Sequence, residues 1–146
     1  MTFWKARSKM TPEVTVLALA GLLQVAQFSW MIVRANKQLG HGKTFSPRDK
    51  DRLGGSLDDL LEPRTARLNR AFHNHNEALI LFTIAVVVVT LGDAANAFTF
   101  LCAGLYLIAR TLYVPAYFFG WVPWRSYIWF TGFLASIAMI VAALLA

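Results

Sequence analysis

Residues Arg64 to Leu91 read RTARLNRAFHNHNEALILFTIAVVVVTL, a polar half with three arginines running straight into an apolar half at Ala78. No turn residue separates the halves. Pro63 stands just before them, where the first turn of a helix tolerates its missing N–H. The uncharged run from Ala78 to Gly92 is only 15 residues, short for a membrane span. Joined to its polar head, it becomes one helix of 28 residues (64 to 91), about 42 Å long at about 1.5 Å per residue. That exceeds the ~30 Å hydrocarbon core of a bilayer. The polar end therefore protrudes or lines a wet cavity.

The neighbouring sequence supplies three more spans. Between Glu13 and Arg34 lie 20 uncharged residues, and after Arg125 lie 21 more. A membrane helix needs about 20 predominantly apolar residues, so both stretches qualify. Residues 94 to 109 and 111 to 124 are uncharged and parted only by Arg110. Gly92-Asp93-Ala94 reads as a tight turn. The chain is thus expected to be an all-α integral membrane protein, a four-helix transmembrane bundle. It forms a single domain over 1–146, with helices at about 12–34, 64–91, 96–119 and 125–145. Lys5, Arg7 and Lys9 before the first apolar run also fit a secretory signal. The length of that run, and the lack of a small-residue cleavage motif before Arg34, favour a retained helix.

Composition agrees. Of 146 residues 57% are hydrophobic and 15% charged, too apolar and too clustered for a soluble domain of this size. Lys and Arg mark the cytoplasmic side. With four spans, the side holding both termini carries 3 of them and the opposite side 11. The loop at about 36–63 is therefore expected to be cytoplasmic and the termini periplasmic or lumenal. The net charge of +6 suits anionic lipid headgroups and an anionic substrate. No basic patch interleaved with aromatics points to nucleic acid. Absent inverted repeats and paired broken helices argue against a transporter. The lone Cys102 forms no internal disulfide and has no metal-ligand spacing around it, so it reads as a small core residue and no metal is expected.

Chemistry concentrates at the cytoplasmic helix ends. Arg67, Arg70, Asn74 and Glu77 are spaced 3, 4 and 3, one face of a helix turning about 100° per residue. Snorkelling to headgroups accounts for Arg64. It does not account for Asn74 and Glu77, because a carboxylate gains nothing from phosphates. Glu77 is expected to pair with Arg110 or Arg70, since an ionised group at membrane depth needs a partner. In the third helix Arg110, Tyr113 and Tyr117 again share a face; the tyrosines alternatively read as interface aromatics. Pro115 is expected to kink this helix. Arg125-Ser126 opens the fourth helix, where free N–H groups make an anion site. Their bland alternative is an interface anchor and an N-cap.

Together these residues resemble the MAPEG family, the membrane-associated proteins in eicosanoid and glutathione metabolism, and among them the bacterial-type microsomal glutathione transferases. The resemblance rests on Arg67-x-x-Arg70-Ala71-x-x-Asn74-x-x-Glu77, on Ala109-Arg110-x-x-Tyr113-x-x-x-Tyr117 and on Arg125-Ser126. It implies a homotrimer that binds glutathione as co-substrate between protomers near the cytoplasmic side. By this resemblance Asn74 and Glu77 are glutathione ligands, with Glu77 placed for the amino group. Tyr113, Tyr117 and Arg110 line the same cleft, Arg70 and His73 belong to it, and Arg67 supports it. Arg34 resembles an arginine donated by the adjacent protomer. Arg125 and Ser126 are the catalytic pair, with the arginine stabilising the thiolate. His73 stands where prostaglandin E synthases carry a further arginine, which removes one fixed charge.

The implied function is a membrane-bound glutathione-dependent transferase, or a peroxidase or isomerase, acting on a lipophilic electrophile that arrives from the bilayer. A thiol near pKa 8.5 is mostly protonated at neutral pH and its thiolate is the nucleophile, so no protein nucleophile is required. The alternative is a non-catalytic membrane subunit or scaffold of the same family.

Overall fold

The computed structural model describes residues 10–44, 47 and 49–146. The N-terminal Lys5, Arg7 and Lys9, and Ser46 and Arg48 of the long loop, lie outside the described residues. Four long helices dominate: α1 (Pro12–Leu39), α5 (Pro63–Leu91), α6 (Ala97–Phe119) and α7 (Trp124–Leu145). The connection after α1 holds three single-turn helices, α2 (His41–Thr44), α3 (Lys50–Leu53) and α4 (Leu57–Leu60). All four long helices are long and apolar enough to cross a membrane. No strand occurs among the described residues.

Local chemistry sets the ends. Thr11 caps α1 by accepting from the Val14 N–H at 3.4 Å, and Pro12 occupies its first turn. Asn96 and Thr99 form a reciprocal capping box at the head of α6. Gly120, left-handed at φ 73°, ends α6. Contrary to the expected end near residue 34, α1 continues to Leu39 and stops at Gly40 with φ 80°. The extra turns are held by the head of α5. Gln38 Nε2 donates to Thr65 Oγ1 at 2.8 Å, and Arg34 Nε donates to the same oxygen at 3.0 Å. Thr44 closes the corner by bonding Asn36. α7 begins at Trp124, so Ser126 occupies the third helical position and does not cap the helix. α6 runs unbroken through Pro115.

α5 and α6 form the central pair, each contacting the other three long helices. Small side chains permit close approach: Ala20, Ala85, Ala103 and Ala135 are all buried where the helices meet, as is common between membrane helices. Phe82 of α5 stacks flat on Tyr106 of α6, centroids 3.8 Å apart and planes 8° apart. The outside is apolar on every long helix, with Leu22, Ile80, Leu101 and Leu144 each more than 60% exposed. That exterior suits lipid and not water. Glu13, taken from the sequence as a mere boundary charge, is buried. Its Oε1 accepts from Thr99 Oγ1 at 2.7 Å and ties the head of α1 to the head of α6. Both helix N-termini favour a negative charge there.

Candidate functional site

The polar head of α5 faces α6 and the start of α7. Asn74 is its hinge point. Its Oδ1 accepts from Arg110 NH1 at 3.1 Å. Arg110 is 1% exposed and lies between two rings, its Cζ 5.5 Å from the centroids of both Tyr106 and Tyr113. A buried guanidinium therefore gains one hydrogen bond and two cation–π contacts. Its Nε has no partner. Tyr113 and Tyr117 stand one turn apart with centroids at 5.4 Å. The Arg125 guanidinium lies over the Tyr117 ring at 5.0 Å.

The expected pairing of Glu77 with an arginine does not occur. Among the described residues no arginine comes within 4.0 Å of its carboxylate, and Glu77 is exposed. The competitors are specific. Arg110 is taken by Asn74, and Arg70 NH1 by Asp58 Oδ2 at 2.9 Å. Asp58 also accepts from Asn69 Nδ2 at 2.8 Å. It reaches both because Ser56 caps α4 and fixes that turn against α5. Shared helix face and proximity in sequence did not decide the partner; the fold of the loop did.

Three adjoining hollows result, and Asn74 lines all of them. The first, about 580 Å³, runs from Asp58 and Arg70 past His73 and Glu77 to Tyr113 and Tyr117. The second, about 320 Å³, joins Tyr113 and Tyr117 to Arg125, Ser126 and Trp129. The third, about 220 Å³, lies between α5, α6 and α7 beside Arg110. The first two fall within the usual range for small-molecule sites. Arg70, His73, Asn74, Glu77, Arg110, Tyr113, Tyr117, Arg125 and Ser126 thus border one continuous recess. Arg70, Asp58 and Glu77 stand on its wide part, and Arg125 stands on the adjoining part, where the first-turn N–H groups of α7 lie. Charges of both signs thus border the recess. Among the described residues no group of three His, Cys, Asp or Glu side chains stands together.

Arg34 is elsewhere. It bonds Thr65, approaches Glu62 at 3.8 Å and lies 5.3 Å from the Phe118 ring centroid, on the α1 side of α5. Arg67 lines none of the three hollows, and its guanidinium packs against Gly120. The sequence reading missed Tyr106, Trp129 and Asp58. Tyr106 was within reach of it, because the stripe Tyr106, Arg110, Tyr113, Tyr117 continues the same 4, 3, 4 spacing one turn deeper.

A model of the MAPEG family matches residues 14–145, nearly the whole chain. No curated protein and no solved structure matches the chain.

Proposed function

Because the chain belongs to the MAPEG family, we propose that it is a membrane-bound glutathione-dependent transferase acting on a lipophilic electrophile, with the recess at the head of α5 as its glutathione site. The observation that carries this reading is the approach of Arg125 to Tyr117 at the edge of a recess that also holds Asn74 and Glu77. One end of the recess offers a carboxylate to the amino group of the tripeptide. The other offers a guanidinium, the Ser126 hydroxyl and helix N–H groups to its sulfur. Glu77, not engaged by an arginine, is open to an ammonium. Arg70, although paired with Asp58, keeps further N–H donors for a carboxylate.

A thiolate is a far better nucleophile than its thiol. Positive charge preplaced beside the sulfur lowers the cost of deprotonation in a partly water-excluded site. The electrophile enters from the apolar side, where Trp129 and Phe133 of α7 stack at 5.1 Å. The recess faces the cytoplasm by the distribution of Lys and Arg, and the working unit is a homotrimer in which neighbouring protomers close the open flank.

Purified protein in detergent, titrated with glutathione and followed by thiolate absorbance, tests the reading. A saturable thiolate signal, followed by conjugation of an aryl electrophile, supports it. Absence of glutathione binding favours a non-catalytic subunit of the same family.

A further inference from the structure

The third hollow differs in character from the other two. Leu81, Phe133 and Trp129 make its apolar wall, Asn74 and Glu77 its polar one, and its floor is Tyr106 and Arg110. Two buried donors on that floor, the Tyr106 hydroxyl and Arg110 Nε, make no hydrogen bond of good geometry. A buried donor left unpaired is costly, so the pair favours a ligand that brings an oxygen acceptor. The donors are held in position. The Tyr106 ring is stacked on Phe82, and Arg110 is fixed through Asn74 and two rings. On the facing side Gly132 leaves the room. A Cβ there would stand 3.4 Å from Arg110 Nε.

The size is informative. An apolar cavity of about 150 Å³ accepts benzene, and this one is about 220 Å³. It shares Asn74 and Glu77 with the wide part of the recess, and Asn74 and Trp129 with the part that holds Arg125. We propose that this cavity is the acceptor pocket for the second substrate, and that the substrate class is an aryl-sized α,β-unsaturated carbonyl compound whose oxygen is bound by Arg110 and Tyr106.

This rests on the glutathione transferase reading and adds the electrophile to it. In the step implied, the glutathione sulfur attacks the β-carbon and a C–S bond forms. The π pair of the C=C bond shifts toward the carbonyl, and the oxygen gains negative charge. Arg110 Nε–H and Tyr106 O–H donate to that oxygen, stabilising charge that develops in the transition state. A solvent proton, replacing the one lost by the thiol, then reaches the α-carbon and the carbonyl re-forms. The product is a thioether, and neither oxidant nor reductant is used.

The test compares an aryl enone with an aryl halide of the same size, whose substitution develops no carbonyl oxyanion. Tyr106→Phe removes one donor and keeps the stack on Phe82. The enone rate should fall about a hundredfold, at least tenfold more than the halide rate. Ala78→Leu, which narrows the same cavity, should raise KM for the aryl enone more than for a small enone. A saturated aryl ketone, inert to thiols, should compete with the enone. Equal loss for enone and halide in Tyr106→Phe would mean that the hydroxyl is structural and the cavity merely hydrated, and would overturn the proposal while the thiolate signal keeps the transferase reading intact. Loss of the thiolate signal in the unaltered protein would instead remove both.

Discussion

Arg125 is the residue on which the proposed chemistry turns. Its guanidinium lies over Tyr117 and makes no ion pair among the described residues, so its charge is available to a ligand. Removal of one preorganised donor at a reacting centre typically costs about 10²–10³ in rate. Arg125→Ala should therefore assemble normally yet lose activity on that scale, with a raised thiol pKa for bound glutathione. Arg125→Lys should recover only part, because an ammonium lacks the planar fork. Arg64→Ala, at an exposed position in the first turn of α5, is the control and should change the rate little. Full activity of Arg125→Ala in a conjugation assay would make Arg125 an interface anchor. Glu77→Gln should weaken glutathione binding roughly ten- to hundredfold, the scale of a hydrogen bond to a charged group, as read by calorimetry. At this scale the sequence was half legible. Spacing alone put Asn74 and Glu77 on one stripe of α5 and Tyr113 and Tyr117 on one face of α6. It did not find Asp58 as the partner of Arg70 or Asn74 as the partner of Arg110, because those choices depend on where α4 and α6 come to rest.

The helices themselves were the most legible level, since uncharged runs and caps are local signals. The misjudged boundary, α1 reaching Leu39, came from treating Arg34 as an end. Arg34 is a good helix former, and the head of α5 supplies partners for it and for Gln38. The burial of Glu13 escaped notice for the converse reason: its partner Thr99 is 86 positions away. The junction of α6 and α7 carries a prediction. Gly120 holds a left-handed conformation at φ 73°, and a Cβ there would stand 2.9 Å from Arg67 NH1. The backbone strain alone costs about 1–2 kcal/mol, and the Arg67 guanidinium would have to shift. Gly120→Ala should lower the melting temperature in detergent and reduce glutathione affinity as well, because the turn it disturbs carries Arg125. Gly104→Ala, with open space around the added methyl, should be neutral or stabilising by up to about 1 kcal/mol. If Gly120→Ala melts like the unaltered protein, Arg67 and the turn are not coupled to the fold in this way.

At the scale of the whole molecule the single chain leaves groups exposed that a bilayer does not favour. Glu77 is open on the flank of the recess, and the Gln24–Asn76 pair, 2.7 Å apart, lines a shallow groove on the outer side of α1 and α5. Charged and amide groups facing hydrocarbon are costly, and burying them against another protein chain relieves that cost. A chain with four spans and a recess open on one side is completed most simply by its own copies. The family to which it belongs gives the number, and a homotrimer with contacts along α5 and α6 is predicted. Native mass measurement in detergent should find three chains per particle; monomers alone would end the idea. Glutathione supplies a second, independent readout. A ligand held between protomers binds the trimer and not the separated chain, so it stabilises the assembly by mass action, by about 2.7 kcal/mol at a hundred times its Kd. Saturating glutathione should therefore slow trimer dissociation on dilution. Glu77→Gln should leave the trimer in place at high protein concentration but weaken that protection. A trimer whose dissociation is indifferent to glutathione would place the ligand within one protomer, and the open flank of the recess would then face lipid.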